Sequence, residues 1–249
     1  MELWSDSERD PRKHCPADGG SGGCLPSAPL DPALEGLHPD LNIMLEQFEK
    51  ITRIPHGSGH EELLRDHLIA IAQQNGWSFQ TDTAGNLVVD VPGAGRGVNA
   101  PAVALQGHMD MVCVPEEFPG ITLKREQRDV QGVMKDVLCA DETTLGADNG
   151  IGLAAMLALA LRNDLNRPPL QLVFTVEEET GLTGALKINP ALLTADWLIN
   201  LDSEQFGVFY ISCAGGRRLE AEWKIDRVQP APGQVPMRVE LSGFKGGHS

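Results

Sequence analysis

The sequence has few basic residues for its length. Its 249 residues include 20 Lys and Arg against 35 Asp and Glu, which gives a formal net charge of −15 at pH 7. Nucleic acids and anionic membrane surfaces are bound through basic patches, so this balance argues against both as partners. A surplus of carboxylates is compatible with cation binding but does not demonstrate it.

Paired cysteines and long apolar runs are also missing. The five cysteines form no CxxC pair, a spacing that fits neither a disulfide framework nor a thiolate zinc site, and we expect Cys113 to be a thiol. The most apolar segment, "GIGLAAMLALAL", is too short to span a bilayer. The N-terminus lacks the charged and apolar regions of a signal peptide. We therefore expect a cytoplasmic protein.

Two frequent catalytic motifs are excluded as well. The sequence contains no GxSxG elbow for a serine nucleophile. The stretch "GAGRG" at 93–97 follows a predicted strand, but no predicted helix follows it, so it does not match a dinucleotide-binding loop.

The order of the predicted elements indicates an α/β fold. Residues 1–40 are rich in Pro, Gly, Ser and charge, and we predict a disordered N-terminal extension there. From Leu41 onwards, helical periodicity alternates with apolar runs such as "PLQLVFTV" and "ADWLINLD". This alternation predicts a sheet whose parallel strands are buried on both faces. From about Gly216 the pattern changes to that of antiparallel strands, which predicts the start of a second domain.

One predicted helix has a capping signature. Ser58 stands three residues before Glu61, ahead of an apolar-periodic stretch that ends near Gly76. This spacing predicts that Ser58 is the N-cap of the helix and that Glu61 occupies its third position.

Acidic residues and one histidine follow the ends of several predicted strands or turns. They occur in "GHMDMV" (His108, Asp110), "GADNG" (Asp148), "VEEETG" (177–179) and "INLDSE" (Asp202, Glu204). Ligands of open α/β sheets usually bind at the carboxyl ends of the strands. Two carboxylates about 5 Å apart repel by roughly 3 kcal/mol at an effective dielectric constant of about 20. One histidine and several converging carboxylates suit zinc or a similar divalent ion, which would offset this repulsion.

The local spacings suggest separate roles for these residues. His108 and Asp110 are two residues apart and share a face of an extended strand, so Asp110 can hold the second nitrogen of the ring. Glu178 and Glu179 are adjacent, so a regular strand would point one at a metal and the other at a water. Asp148 precedes a predicted helix, where its two oxygens could bridge two ions.

Each residue also has a more ordinary interpretation by itself. His108 can be a hydrogen-bonded structural residue, and Asp148 can be a helix N-cap. The glutamates at 177–179 can form a solvated loop, and Asp202 can start a turn. Together these interpretations require four coincidences at corresponding ends of one predicted sheet, which favours a metal site.

The ordered motifs resemble those of the aminoacyl-histidine dipeptidases, cytosolic dinuclear zinc exopeptidases related to carnosinase, glutamate carboxypeptidase and acetylornithine deacetylase. The motifs are "LQGHMDMV", "TTLGADNGIG", "EEETGLTGA", "INLDSE", "CAGG" and "GFKGGHS". The resemblance implies a zinc-exopeptidase-type mixed sheet with flanking helices over residues 41–215. It also implies the start of an α+β lid or dimerisation domain over 216–249.

The resemblance implies a set of metal ligands. His108, Glu179 and Asp202 would ligate metal, and Asp148 would bridge two divalent ions. The ions would be Zn²⁺, although Co²⁺ and Mn²⁺ also suit these ligands. The implied reaction is hydrolysis of Xaa-His and other dipeptides by a metal-activated water.

Three further residues receive catalytic roles from the resemblance. Asp110 would orient His108, and Glu178 would be the general base. His248, in "GGHS", matches a lid histidine that stabilises the oxyanion in dimeric relatives, so the resemblance also implies a homodimer of the full-length protein.

The family pattern continues well beyond Ser249, with a late histidine that completes the second metal site. The resemblance therefore implies that this chain corresponds to the N-terminal part only, with an incomplete second site. Two alternatives stay open beside the dipeptidase. One is an inactive metal-binding fragment or a pairing partner of a full-length relative, and the other is an N-acyl amino acid deacylase of the same superfamily.

Overall fold

The computed structural model describes most of the chain between Leu41 and Ser203 and scattered residues after it. The described residues are 41–115, 120–130, 132–203, 205, 207–213, 222, 224, 229, 231–235, 237–238, 240 and 242. The predicted extension at 1–40 lies outside them, as do Glu204, His248 and most of the strands predicted after Gly216. The chain divides into two compact units, Met1–Glu204 and Gln205–Ser249.

Helices of the first unit form where the apolar residues recur at helical spacing. Within the described residues they are α1 (Asn42–Thr52), α2 (Glu62–Gln74), α3 (Ala147–Leu161) and α4 (Thr183–Lys187), with short 3₁₀ helices at Gly95–Gly97 and Pro190–Leu192. In α1, for example, Leu45, Phe48 and Ile51 are spaced by three residues and are buried. Of the helices described, none combines the length and apolarity needed to cross a membrane.

A five-stranded mixed sheet forms the centre of the first unit. Its strands are β1 (Ser78–Thr81), β2 (Leu87–Val91), β3 (Val103–His108), β6 (Leu170–Thr175) and β7 (Trp197–Asn200), in the order β1-β2-β6-β3-β7. β3 is parallel to both β6 and β7, whereas the β1–β2 and β2–β6 pairs are antiparallel. The predicted α/β class with a mixed sheet and flanking helices is confirmed.

A separate hairpin was missed by the sequence analysis. β4 (Leu123–Val130) and β5 (Val133–Ala140) pair antiparallel along their whole length. Their residues are mostly exposed or half-buried, and many are charged. The sequence "LKREQRDV" therefore lacks the apolar alternation by which a strand on a core is recognised.

β6 is the most buried strand of the sheet. Leu172 and Phe174 point into the main core, which they share with residues of α1, α2 and α3. Val173, between them, points to the other face and packs there with Ile188 and Leu192. This two-sided burial explains why β6 is a continuous apolar run in the sequence.

β7 differs from its prediction as a buried strand. Its four residues are exposed, with Trp197 at 68% and Leu198 at 56% of full exposure. Within the described residues β7 pairs only with β3, so it is an edge strand. Apolar composition does not distinguish an edge strand from a central one, which is why the prediction was wrong.

The expectation that Cys113 is a thiol is also wrong, because Cys113 is disulfide-bonded. Cys139 and Cys213 are free cysteines. The spacing of the cysteines in the sequence carries no signal that distinguishes Cys113 from these two.

α2 buries a histidine without a hydrogen-bond partner. The His67 side chain is 5% exposed, and neither ring nitrogen has a partner among the described residues. Burial lowers the pKa of His67 from 6.5 to about 4, and the charge of Lys50 acts in the same direction. The ring therefore stays neutral in the folded protein at pH values where the unfolded chain already binds a proton.

We predict that His67 lowers the free energy of unfolding as the pH falls from about 6.5 to about 4. In this window the unfolded chain gains a proton at His67 and the folded chain does not, so the loss approaches about 1.4 kcal/mol per pH unit. The variant His67→Phe lacks this contribution. Its free energy of unfolding should therefore increase relative to that of wild type as the pH falls. Urea unfolding at about pH 7.5, 6 and 5 measures the effect. A pH dependence identical in both proteins would contradict it.

Candidate metal centre

The predicted site residues that the structure describes meet at one edge of the sheet. His108 is the last residue of β3 and stands in register with Thr175, the last residue of β6. The glutamates at 177–179 follow β6 closely, and Asp202 follows β7. Because β3, β6 and β7 are parallel, their carboxyl ends lie on the same side. Asp148 reaches this edge from the start of α3.

Three of the predicted ligands form a compact group. The imidazole of His108 and the carboxylates of Asp148 and Glu179 each offer a ligand atom within 4.8 Å of the others. Nε2 of His108 lies 3.0 Å from Oδ1 of Asp148. Imidazole nitrogen and carboxylate oxygen are preferred ligands of Zn²⁺, so the donor set fits a divalent cation.

Asp202, the fourth predicted ligand, adjoins this group. Its Oδ1 lies 3.8 Å from Nε2 of His108 and accepts a hydrogen bond of 3.0 Å from Nδ2 of Asn149. Burial raises the pKa of Asp202 to about 6, against the charge of His108 and together with the charges of Asp148 and Glu178. The neighbouring carboxylates therefore disfavour the ionisation of Asp202, and a bound cation would favour it.

Asp110 contacts the opposite side of the His108 ring. Nδ1 of His108 lies 2.9 Å from the carbonyl oxygen of Asp110 and 3.3 Å from its Oδ1. Burial would lower the pKa of His108, but the hydrogen bond and charge of Asp110, with Asp202 and Asp148, raise it to about 9. The surrounding acids therefore outweigh burial in setting the charge of the ring.

Asp110 also anchors the turn that carries the glutamates. Its Oδ1 accepts the N–H of Glu178 at 2.9 Å, and its Oδ2 accepts the N–H of Glu179 at 3.1 Å. Burial would raise the pKa of Asp110, but hydrogen bonds from His108, the Glu178 N–H and the Ser58 hydroxyl lower it. One ionised carboxylate thus fixes both a predicted ligand ring and the backbone of two further site residues.

The glutamates do not lie on a strand, which corrects the argument that strand alternation separates them. β6 ends at Thr175, and Glu177 has a left-handed φ of 50°. The chain then turns, and the N–H groups of Gly181 and Leu182 both donate to the carbonyl of Glu178. The turn, not a pleat, sets the directions of the Glu178 and Glu179 side chains.

Ser58 and Glu61 do not form the predicted capping box. α2 begins at Glu62, and its N-cap makes no side-chain hydrogen bond. Instead, Oγ of Ser58 donates to Oδ2 of Asp110 at 2.8 Å. Oε1 of Glu61 accepts the N–H groups of Gly59 and Glu177, each at 3.0 Å. Sequence reasoning missed both contacts because the partners Asp110 and Glu177 lie 52 and 116 residues away.

The structure does not support the N-cap interpretation of Asp148. The N-cap position of α3 belongs to Gly146, and no side-chain bond caps the helix. Asp148 itself has a non-helical backbone, with φ −88° and ψ 109°, and its carboxylate meets His108. The backbone of Asp148 therefore aims its side chain at the cluster.

Two glycines of the motifs leave room for Asn149, a residue that the sequence analysis did not single out. A Cβ atom on Gly107 would lie 2.2 Å from Oδ1 of Asn149, and one on Gly152 would lie 2.6 Å from it. Asn149 is buried and donates to both Asp202 and the carbonyl of Leu201. The glycines thus permit the contact that holds the Asp202 carboxylate.

We predict that Gly107→Ala lowers the free energy of unfolding by about 1–3 kcal/mol, because the added methyl group forces Asn149 to move. The matched control is Gly150→Ala, whose Cβ would lie 3.3 Å from the Phe48 ring and requires only a small adjustment. Urea unfolding of the two variants measures the difference. Equal stability of both variants would contradict the close contact at Gly107.

Two curated proteins are similar to this chain in sequence. No protein-family model matches the chain. Over 203 residues, or 81% of this chain, it is 36% identical to the cytosol non-specific dipeptidase of Escherichia coli (strain K12). Over 173 residues it is 27% identical to the uncharacterized protein YqjE of Bacillus subtilis (strain 168). The chain spans 41% and 43% of the lengths of these two curated relatives.

Solved structures give the same result. The aminoacylhistidine dipeptidase from Vibrio alginolyticus matches 69% of this chain and 36% of its own, with a TM-score of 0.59 and 31% identity. A tripeptidase from Staphylococcus aureus subsp. aureus Mu50 matches 66% of this chain and 44% of its own, with a TM-score of 0.53 and 28% identity.

The fold and these relatives show an α/β chain that is similar to part of a cytosol non-specific dipeptidase and to part of an aminoacylhistidine dipeptidase, and its cluster of histidine and carboxylates is a candidate metal site. This similarity confirms the resemblance seen in the sequence motifs.

Proposed function

We propose that the protein is a metal-dependent dipeptidase that hydrolyses Xaa-His and other dipeptides. The observation that carries this proposal is the group of His108, Asp148 and Glu179 ligand atoms within 4.8 Å of one another. The group lies at the carboxyl edge of a sheet in a chain that is 36% identical to a cytosol non-specific dipeptidase. The donor chemistry supports metal binding, and the relatives support a peptide substrate.

In this proposal two divalent ions, Zn²⁺ or else Co²⁺ or Mn²⁺, bind at the cluster. His108, Glu179 and Asp202 would hold the ions as ligands, and Asp148 would be a ligand shared between them. Such ions acidify a bound water and polarise a carbonyl group. Asp110 keeps the His108 ring in place through the contact between its Oδ1 and Nδ1, which is 3.3 Å long.

Glu178 is the proposed general base. Its backbone N–H donates to Asp110, and its charge acts on Asp202, so it stands beside the proposed ligands. A carboxylate in this place can take a proton from a water and pass it to the leaving amine. We propose that His248 stabilises the oxyanion. Only the family resemblance supports this role, since His248 lies outside the described residues.

The proposal extends to the organisation of the protein. Residues 41–215 belong to the catalytic domain, and 216–249 begin a lid or dimerisation domain. The active form is a cytoplasmic homodimer. The cytosolic dipeptidase among the relatives supports the proposed location.

We predict that Glu178→Ala separates metal binding from turnover. The Zn²⁺ affinity should stay within about threefold of wild type, whereas kcat should fall by about 10²–10⁴-fold because the proton acceptor is lost. Calorimetric titration with Zn²⁺ and a dipeptide hydrolysis assay measure the two effects. His108→Ala is the contrasting variant and should lose both. Loss of Zn²⁺ from Glu178→Ala would refute its role as base and make it a ligand.

A substrate panel tests the proposed activity. The protein is assayed with Xaa-His dipeptides, other dipeptides and N-acyl amino acids in the presence of Zn²⁺, Co²⁺ or Mn²⁺. We expect release of free histidine from the Xaa-His dipeptides and no release of acid from the N-acyl compounds. The opposite preference would identify the deacylase alternative.

A second candidate function is metal binding without hydrolysis, in a fragment or a pairing partner of a longer relative. The observation that favours it is that the described cluster contains three potential ligands, His108, Asp148 and Glu179, which are enough to bind one ion. Binding of one Zn²⁺ per chain, with no hydrolysis of any compound in the panel, would establish this candidate.

A further inference from the structure

The turn that carries Glu178 and Glu179 is held by two buried carboxylates. The N–H of Glu177 donates to Glu61 at 3.0 Å, and the next two N–H groups donate to Asp110 at 2.9 Å and 3.1 Å. Three consecutive amides are therefore bound by acids from elsewhere in the chain. Asp110 already has an assigned role, but Glu61 belongs to none of the site motifs.

We propose that Glu61 is a positioning residue that sets the glutamate turn for metal binding and proton transfer. The proposal rests on the function proposed above, since it acts through Glu178 and Glu179. Glu61 does not reach the ligand group itself. It works through the backbone of Glu177, the residue immediately before them.

The backbone of Glu177 needs such support. Its φ of 50° lies in the left-handed region, which is strained for a residue other than glycine. The hydrogen bond from its N–H to the buried Glu61 carboxylate helps to offset this strain. Glu61 is only 5% exposed, so water does not readily replace its carboxylate as the acceptor.

The geometry also explains why a small change at Glu177 would matter. Before it, the N–H of Val176 donates to Oδ1 of Asn86 at 3.2 Å. After it, the N–H groups of Glu178 and Glu179 must point at the two oxygens of one carboxylate. Rotation about the backbone of Glu177 would break this pairing with Asp110 and redirect both side chains.

A pair of nearly isosteric variants tests the proposal. Glu61→Gln keeps an oxygen that can accept the two N–H groups, whereas Glu61→Met has similar length and no acceptor. The controls are Glu62→Gln and Glu62→Met, which make the same changes at the neighbouring exposed position. Glu61→Asp is added because it keeps the charge. Its side chain is one methylene group shorter, so its carboxylate oxygens lie farther from the N–H groups.

Two properties are measured for every variant that folds, as shown by a cooperative urea unfolding transition. Hydrogen exchange of a peptide covering residues 176–182 is followed in the metal-free protein, and Zn²⁺ affinity is determined by titration. We expect Glu61→Met to exchange at least tenfold faster and to bind Zn²⁺ about 10–100-fold more weakly. Glu61→Gln should stay within about threefold of wild type, and both Glu62 variants should match wild type.

Equal exchange and equal Zn²⁺ affinity in Glu61→Gln and Glu61→Met would overturn the proposal. Should Glu61→Met not fold, Glu61→Asp decides the question in the same way: faster exchange with weaker Zn²⁺ binding supports the proposal, and wild-type values overturn it. Failure of the proposed function is distinguishable, because wild type would then bind no Zn²⁺ or hydrolyse no dipeptide, while the exchange measurement still reports on the turn.

Discussion

The ionised carboxylate of Asp110 is the group on which the site depends. A buried charge is tolerated only when its oxygens are hydrogen-bonded, because leaving it unpaired costs several kcal/mol. Here its partners come from three separate segments: the Ser58 hydroxyl before α2, the ring of His108 at the end of β3, and two amides of the turn after β6. Formation of this network therefore couples the folding of all three segments to the geometry of the ligand group.

The other residues of the cluster are placed in a way that favours binding of a cation more than stability of the fold. Asp148 and Asp202 both approach Nε2 of His108, at 3.0 Å and 3.8 Å, and the acids around the ring raise its pKa to about 9. The pKa of Asp202 rises to about 6 because burial and the neighbouring acids disfavour its charge. Both pKa values rise because the scaffold holds several carboxylates close together, and a divalent cation bound there would offset their repulsion.

Patterns in the sequence predict the elements of the fold that bury apolar residues. They fail where the burial of an element, or the partner of a residue, depends on contacts with distant parts of the chain. The helical periodicity before Thr52 and the apolar run from Leu170 correspond to α1 and β6. The β4–β5 hairpin was missed because its strands carry charge on exposed faces, and β7 was misjudged because an edge strand can be as apolar as a central one. Ser58 and Glu61 carry a local capping signature, but they bind partners in segments that follow β3 and β6, and these contacts replace the predicted cap.

The run of three glutamates after β6 can now be understood position by position. Within the part of the chain that the structure describes, its backbone has no sheet partner beyond Thr175, so three successive N–H groups need other acceptors, and two buried carboxylates supply them. Binding the turn through its backbone leaves its side chains to be directed independently, and Glu179 joins His108 and Asp148 in the ligand group. Acids thus occur here on both sides of the same turn: those that hold its amides are buried, and those that it presents are half-buried, with Glu179 in the candidate metal group.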